Sequence, residues 1–395
     1  MLSLADRIHR MDESATIAMA RRSRELAATG VNVISLSLGE PDFDTPDFIK
    51  KAAIEAIEQN YSHYTPIAGY LELRQAISRK FKRDNDLQYE PEQIVTSTGA
   101  KQSIFNAVMA LVNPGEEVIL PTPYWVSYLE MVRLAQGEVR LIPTTVEQEY
   151  KFTAKQLDEA ITPKSKLLIF SNPCNPSGAV YSENELKDIA QVIEKNPQLY
   201  VVSDEIYELI RFEGKHKSLA SFKEIFDRVI TVNGLSKGFA MTGWRLGYLG
   251  ASKEVAKACD KLQGQVTSAP NSIAQRAAIT ALDADPQSVS YMLKAFENRR
   301  ELVLNMCNDI PGFKNHTPGG AFYLFPDVSY WLGREIDGQR IETSSDFCLF
   351  LLDKAHVGLV PGDAFGNPNS LRISYAASEN DLIEAMRRIK NALVK

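Results

Sequence analysis

The chain has 395 residues, 44% hydrophobic and 24% charged, a balance that excludes a disordered or fibrous protein and a length that suits one large domain with a smaller one. Its formal net charge of −6, with lysine and arginine spread along the chain, lacks the basic patch of a nucleic-acid binder. No run approaches the roughly 18–20 apolar residues of a membrane span, and four scattered cysteines (Cys174, Cys259, Cys307, Cys348) with no Cys-x-x-Cys pair speak against a disulfide framework or a zinc site.

From the N-terminus, the stretch through Gly30 is charged throughout and has no apolar core of a secretory leader; Asp6, Asp12, Glu13 and Glu25 also argue against a mitochondrial presequence. A cytoplasmic protein is the expectation. DFIKKAAIEAIEQN places apolar residues at helical spacing behind Thr45, a cap candidate, and Pro46; LELRQAISRKFKRDN is a second amphipathic helix. Short apolar runs follow: QIVTST, EEVILP, EVRLIP, SKLLIF, LYVVSD, RVITVN and RLGYLG. Each has strand length, and helices such as ENELKDIAQVIEK lie between several of them. Continuously apolar strands alternating with helices predict an α/β domain with a largely parallel sheet covered on both faces. The final third reads as α+β: a long helix from about Ser288 to Cys307, the turn PGGAFYLF, a helix near SSDFCLFLLDKAH, the turn PGDAFG, a strand SLRISYA and a closing helix. The expected division is residues 1–45 as an N-terminal segment of the smaller domain, 46–287 as the large domain and 288–395 as the small C-terminal domain.

Ligands of open α/β sheets sit at the carboxyl ends of strands, so the residues after each apolar run carry the functional reading. Gly99-Ala100-Lys101 after QIVTST is either a tight turn or a helix start that offers backbone N–H groups to a phosphate. Asn172-Pro173-Cys174-Asn175-Pro176 after SKLLIF is a rigid turn that can also hold the Asn175 amide at a ligand. Asp204 ends a strongly apolar strand, as a helix cap or as a carboxylate facing a buried cation. After RVITV, small residues crowd Ser236 and Lys237, with Arg245 on the next glycine turn. A lysine amine there can form a Schiff base, while the hydroxyl and guanidinium suit one phosphate.

The segments SLGEPDFDTP, YTPIAGYLELR, SNPCNPSGAVY, SDEIYE, SKGFAMTGWRLGY, GGAFY and LRISYA occur in that order, from the segment around Gly39 to Ala376. Together they resemble the class I, fold-type I pyridoxal-phosphate aminotransferases, and most of all the shorter bacterial aspartate aminotransferases. The resemblance implies a seven-stranded, mainly parallel sheet between helices, plus a smaller α+β domain. It also implies pyridoxal 5'-phosphate as cofactor and a ping-pong exchange between an L-amino acid, aspartate above all, and 2-oxoglutarate. By the same resemblance Lys237 is the Schiff-base lysine and proton shuttle, and Asp204 the partner of the ring nitrogen. Asn175 and Tyr207 are donors to the ring phenolate, Gly99, Ala100, Ser236 and Arg245 a phosphate cup, and Trp125 the stacking aromatic. Tyr64 is a tyrosine lent to the phosphate of a neighbouring subunit, which implies a homodimer with shared sites. Arg372 grips the substrate α-carboxylate, Asn175 and Trp125 also touch substrate, and Gly39 makes a backbone contact from a segment that closes over the site. Lys101, with Ser14 and Thr16, takes the distal carboxylate.

Relatives that also transaminate prephenate tend to carry a basic residue just before the Ser-Ala-Thr segment. Asp12 and Glu13 stand there in this chain, so little prephenate activity is expected. Other chemistries on the same fold stay open: a C–S lyase, an aminocyclopropane-type synthase, or an aminotransferase for aromatic or sulfur amino acids. A ligand-sensing regulator on this fold would need an N-terminal DNA-binding module, yet the family-like segments are under way by Gly39.

Overall fold

The computed structural model describes residues 4–394, so of the expected segments 1–45 and 288–395, residues 1–3 and 395 lie outside the described residues. All seven apolar runs are strands of one sheet: β1 (Ile94–Ser97), β2 (Glu117–Pro121), β3 (Glu138–Ile142), β4 (Ser165–Ser171), β5 (Tyr200–Asp204), β6 (Val229–Gly234) and β7 (Gly247–Gly250). The order across it is β1-β7-β6-β5-β4-β2-β3. β7 runs antiparallel to both neighbours, and the remaining pairs are parallel. The runs are continuously apolar because successive side chains enter two different cores. Leu168, Phe170, Val201 and Val229 pack on one face; Leu167, Ile169, Val202 and Ile230 pack on the other.

The helix α1 (Ala15–Ala28) lies against the strands Val357–Gly358 and Val360–Pro361; around the large sheet are α2 (Asp47–Glu58), α3 (Leu71–Asn85), α4 (Ala100–Leu111), α5 (Ser127–Leu134), α6 (Glu183–Lys195), α7 (Lys253–Val266) and α8 (Ser272–Asp283). A reciprocal cap starts α6: the Ser182 hydroxyl accepts from the Glu185 N–H while the Glu185 carboxylate accepts from the Ser182 N–H at 2.7 Å. Thr45, expected as the cap of α2, does other work. Pro46 occupies the N-cap position without a side-chain bond, and the Thr45 hydroxyl instead donates to the Ala240 carbonyl at 2.7 Å and accepts from the Trp244 indole at 3.1 Å. A tertiary partner beyond α2 outcompetes the local one.

The last third contains α9 (Ser290–Asn308), α10 (Ser344–Ala355), α11 (Glu379–Leu393) and a three-stranded antiparallel sheet of Val360–Pro361, Leu371–Ser374 and Tyr323–Leu324. Ile34–Ser35 pairs in parallel with Val357–Gly358, which binds the N-terminal segment to this region. No helix among the described residues is long and apolar enough to cross a membrane.

At the edge of the sheet where β1 feeds α4, the start of β7 comes against the start of α4. A Cβ on Gly247 would lie 2.2 Å from the Ala100 backbone nitrogen and 2.5 Å from the Gly99 carbonyl carbon. Backbone cannot give way as a flexible side chain does, so Gly247→Ala should destabilise the fold by about 2–3 kcal/mol in urea unfolding. Gly243→Ala, where nothing lies within 4 Å, should leave the midpoint nearly unchanged. Equal midpoints for the two variants would show that the close approach is not a constraint.

Candidate active site

Strands β1, β4, β5 and β6 all deliver side chains to one cavity of about 240 Å³ at their carboxyl edge. It is lined by Ser14, Thr16, Gly39, Ala100, Lys101, Trp125, Asn175, Asp204, Tyr207, Ser236, Lys237, Arg245 and Arg372, among others. Of the expected residues, only Gly99 and Tyr64 are not in that lining, and each has a distinct place. Gly99 is the N-cap of α4 at φ 84; a Cβ there would meet the Arg245 guanidinium at 2.3 Å. Glycine is required both by the backbone and by that approach. Tyr64 stands fully exposed, away from the cavity of its own chain.

Lys237 follows β6. Its ammonium donates to the Gly39 carbonyl, and burial holds its pKa down to about 8; Glu40 and Asp204 pull it up while Arg372 and Arg245 push it further down. Asp204 ends β5, 5% exposed. Burial raises its pKa to about 6, against the lowering effects of the Tyr128 hydroxyl and the Ile206 N–H. No helix starts at Asp204, so the cap alternative has nothing to cap. The Asn175 side-chain oxygen accepts from Arg372 at 2.9 Å, and the second terminal nitrogen of Arg372 donates to the Ser37 carbonyl at 2.6 Å. The Arg372 Nε is buried without a partner, and its guanidinium lies over the Tyr323 ring, 4.5 Å from the centroid. Tyr207 and Tyr323 share a hydroxyl–hydroxyl bond of 2.7 Å. Lys101 places its ammonium 4.9 Å from the centroid of Trp125. Its residue as a whole is exposed, yet that ring and the wall around it desolvate the charged end, and with repulsion from Arg245 they lower its pKa. Ser14 precedes α1 and makes no cap bond; the Thr16 hydroxyl, on the first turn of α1, is buried with no partner.

The charge balance of this cavity decides what fits it. Lys101, Lys237, Arg245 and Arg372 line it, and Asp204 is its one carboxylate. Arg245 donates to the Thr242 carbonyl and Arg372 to neutral oxygens; none of the four cations forms an ion pair among the described residues. Three positive charges in excess, in a chain of net charge −6, call for anionic ligands. A phosphate-bearing aldehyde on a basic aromatic ring suits the donors: the α4 N-terminus with Ser236 and Arg245 for the phosphate, Trp125 for the ring, Asp204 for a ring cation and Lys237 for the carbonyl.

Of the six lining residues not singled out as site residues from the sequence, Tyr323 and Thr242 make side-chain hydrogen bonds. Tyr323 sits within GGAFY, where nothing local shows that it bridges Tyr207 and Arg372. Thr242 binds the Glu40 carboxylate, a contact 202 residues apart. The two acidic residues expected to repel a large dicarboxylate are already paired: Asp12 with Arg133 at 2.9 Å and Glu13 with Arg21. Arg133 also pairs with Glu130 and Arg21 with Glu25, so each exposed group keeps one negative charge in excess.

A family model described as aminotransferase class I and II matches residues 31–389. A Petunia hybrida protein named bifunctional aspartate aminotransferase and glutamate/aspartate-prephenate aminotransferase is 48% identical over all of this chain and 83% of its own length. A solved aspartate aminotransferase of Rhizobium meliloti superposes with a TM-score of 0.96 at 41% identity, covering 100% of this chain and 99% of that one. The Thermus thermophilus aspartate aminotransferase with maleate gives a TM-score of 0.93 at 39% identity, with both chains fully covered.

The raised pKa of Asp204 has a stability consequence. Its carboxyl binds a proton more tightly in the fold (about 6) than in the unfolded chain (3.8), so stability of the cofactor-free protein falls as pH rises through that window, and the cost is complete above it. Asp204→Asn removes the titration. The cofactor-free variant should therefore be more stable than wild type by up to roughly 3 kcal/mol at neutral pH, and by little below about pH 4. Urea unfolding of both proteins at both pH values measures this; a variant no more stable at neutral pH would refute it.

Proposed function

Since this chain belongs to the class I and II aminotransferases, we propose that it moves the amino group of aspartate to 2-oxoglutarate and that Lys237 is where its cofactor, pyridoxal phosphate, is held. Bound there, the cofactor supplies an aldehyde that forms a Schiff base with an amine and a ring that accepts the electron pair left when a Cα–H bond breaks. Lys237, with its pKa lowered to about 8, would be a nucleophile toward that aldehyde near neutral pH and, when free, the base that moves the Cα proton of the substrate. Asp204 holds the ring nitrogen protonated, and a cation at that point reverses the burial cost that raises its pKa. Asn175 and Tyr207 donate to the ring phenolate, Trp125 stacks on the ring, and Gly99, Ala100, Ser236 and Arg245 hold the phosphate. Arg372 takes the α-carboxylate as a bidentate pair. The second half of a ping-pong cycle runs the same groups in reverse on the oxo acid.

One observation carries the dicarboxylate reading: after Arg245 is assigned to the phosphate and Lys237 to the cofactor's aldehyde, two cations without carboxylate partners remain in the cavity, Arg372 and Lys101. An amino acid with two carboxylates satisfies both, and Ser14 and the unpartnered hydroxyl of Thr16 are beside the second. In the same proposal Tyr64, fully exposed in the single chain, reaches the phosphate of a second copy in a two-fold dimer. Residues 1–45 and 288–395 form one unit against 46–287, an arrangement supported by the pairing of Ile34–Ser35 with Val357–Gly358. Four buried, unpaired cysteines suit a cytoplasmic enzyme.

A second reading adds prephenate as an amino acceptor. The name of the Petunia relative favours it, while Asp12 and Glu13, each sharing its arginine with a second carboxylate, speak against it. The ratio of kcat/KM for prephenate to that for oxaloacetate decides: within about tenfold establishes the reading, and below about a hundredth restores an acidic barrier.

Borohydride reduction of the purified yellow protein should fix the cofactor to the peptide containing Lys237; label trapped on another lysine would overturn the assignment. Lys101→Ala should raise the KM for aspartate about tenfold, the loss of one charge-assisted contact, and spare alanine. An unchanged aspartate-to-alanine preference would remove Lys101 from the distal site, and release of ammonia or a thiol in place of an oxo-acid pair would point to lyase chemistry.

A further inference from the structure

Asp204 is held from behind the cavity wall. Tyr128 lies on α5, one helical turn beyond Trp125, and packs edge-on against it with ring centroids 5.5 Å apart at 85°. It is 1% exposed and is not among the residues lining the cavity. Its hydroxyl donates to Asp204 Oδ2 at 2.6 Å. The other oxygen, Oδ1, accepts from the Ile206 backbone N–H at 3.3 Å. Among the described residues, Tyr128 is thus the one side chain that hydrogen-bonds the carboxylate expected at the ring nitrogen.

We propose that Tyr128 is a positioning residue for the transamination: its hydroxyl fixes Asp204 toward the cavity and favours the charged carboxylate that the cofactor's ring nitrogen requires. The proposal rests on the reading of Asp204 as the partner of that nitrogen. A donor to a carboxylate stabilises its ionised form and restricts its rotation. The other titratable groups around Asp204 cannot take over this task. Glu205, next in the chain, repels it and is itself occupied by Ser203, Ser218 and His216. Lys237 attracts it electrostatically but bonds to Gly39. Cys174, after β4, and Tyr207 are neutral, burial and the Asp204 charge raising their pKa values, and neither hydrogen-bonds Asp204. A tyrosine suits the position because burial and the Asp204 charge push its own pKa well above the usual range, so it remains a donor throughout the working pH range. By packing against Trp125 it also ties the stacking residue and the ring-nitrogen partner into one rigid unit.

The test compares Tyr128→Phe, which removes one oxygen and keeps the ring, with Asp204→Asn, using holoenzyme and reconstituted apoenzyme. Tyr128→Phe should weaken the dissociation constant for pyridoxal phosphate about tenfold, the loss of one hydrogen bond to a charged group. It should also move the spectroscopic pKa of the bound cofactor and lower kcat with little change in aspartate KM. N-methylated cofactor, whose ring charge does not depend on Asp204, should narrow the kcat gap from wild type. Tyr128→His, which restores a donor, should recover part of the affinity, and it carries the test if the phenylalanine variant does not fold. Cofactor affinity and spectroscopic pKa unchanged in Tyr128→Phe, with both altered in Asp204→Asn, would overturn the role of Tyr128. Both unchanged in both variants would overturn the reading of Asp204 itself.

Discussion

Asp204 is a carboxylate at the end of β5, 5% exposed, with the neighbouring strands β4 and β6 on either side. Water is excluded from most of its surface, so its charge must be met by the protein or by a ligand, and the raised pKa near 6 shows that the protein alone meets it incompletely. That deficit is useful. A buried carboxylate that is imperfectly satisfied has a stronger reason to bind a cation, which would complete what Tyr128 and the Ile206 N–H begin. Stability lost in the empty site is recovered as affinity in the filled one.

The same logic extends to the cations. Arg372 is almost fully buried, held by the Asn175 amide, the Ser37 carbonyl and the faces of Tyr323 and Phe365. These partners orient a guanidinium but do not neutralise it. Its charge therefore remains available for a carboxylate, and the planar fork is already aimed when one arrives. Lys101, desolvated against Trp125, is likewise a cation without a carboxylate partner among the described residues.

The segment from Ser37 to Thr45 connects these groups. Its Ser37 carbonyl holds Arg372, and its Gly39 carbonyl accepts from Lys237. Glu40 reaches Thr242. Asp42 forms a bidentate pair with Arg299 of α9 at 2.6 and 2.9 Å, and Thr45 binds Ala240 and Trp244. A Cβ at Gly39 would lie 2.0 Å from the Tyr323 hydroxyl, which is itself bonded to Tyr207. One short stretch thus touches Arg372, Lys237 and the Tyr207–Tyr323 pair at once, so its placement bears on several walls of the cavity.

Much of this was legible in the chain itself. The seven apolar runs are continuously hydrophobic because each strand is buried on both faces, so their positions and the α/β class follow from local pattern, as does the functional edge, where Gly99, Asn175, Asp204 and Lys237 each stand at or just beyond a run. Tertiary structure decided what no local pattern encodes. Tyr128 reads as an ordinary core aromatic until α5 folds against β5, 76 residues away in sequence. Thr45 reads as a helix cap until Ala240 and Trp244 arrive to take its hydroxyl. Asp12 and Glu13 read as free charges until Arg133 and Arg21 pair with them. In each case residue type fixed what the side chain can donate, accept or carry, but the partner came from a distant part of the chain, and a group's protonation and availability depend on that partner and on how much water the fold leaves around it.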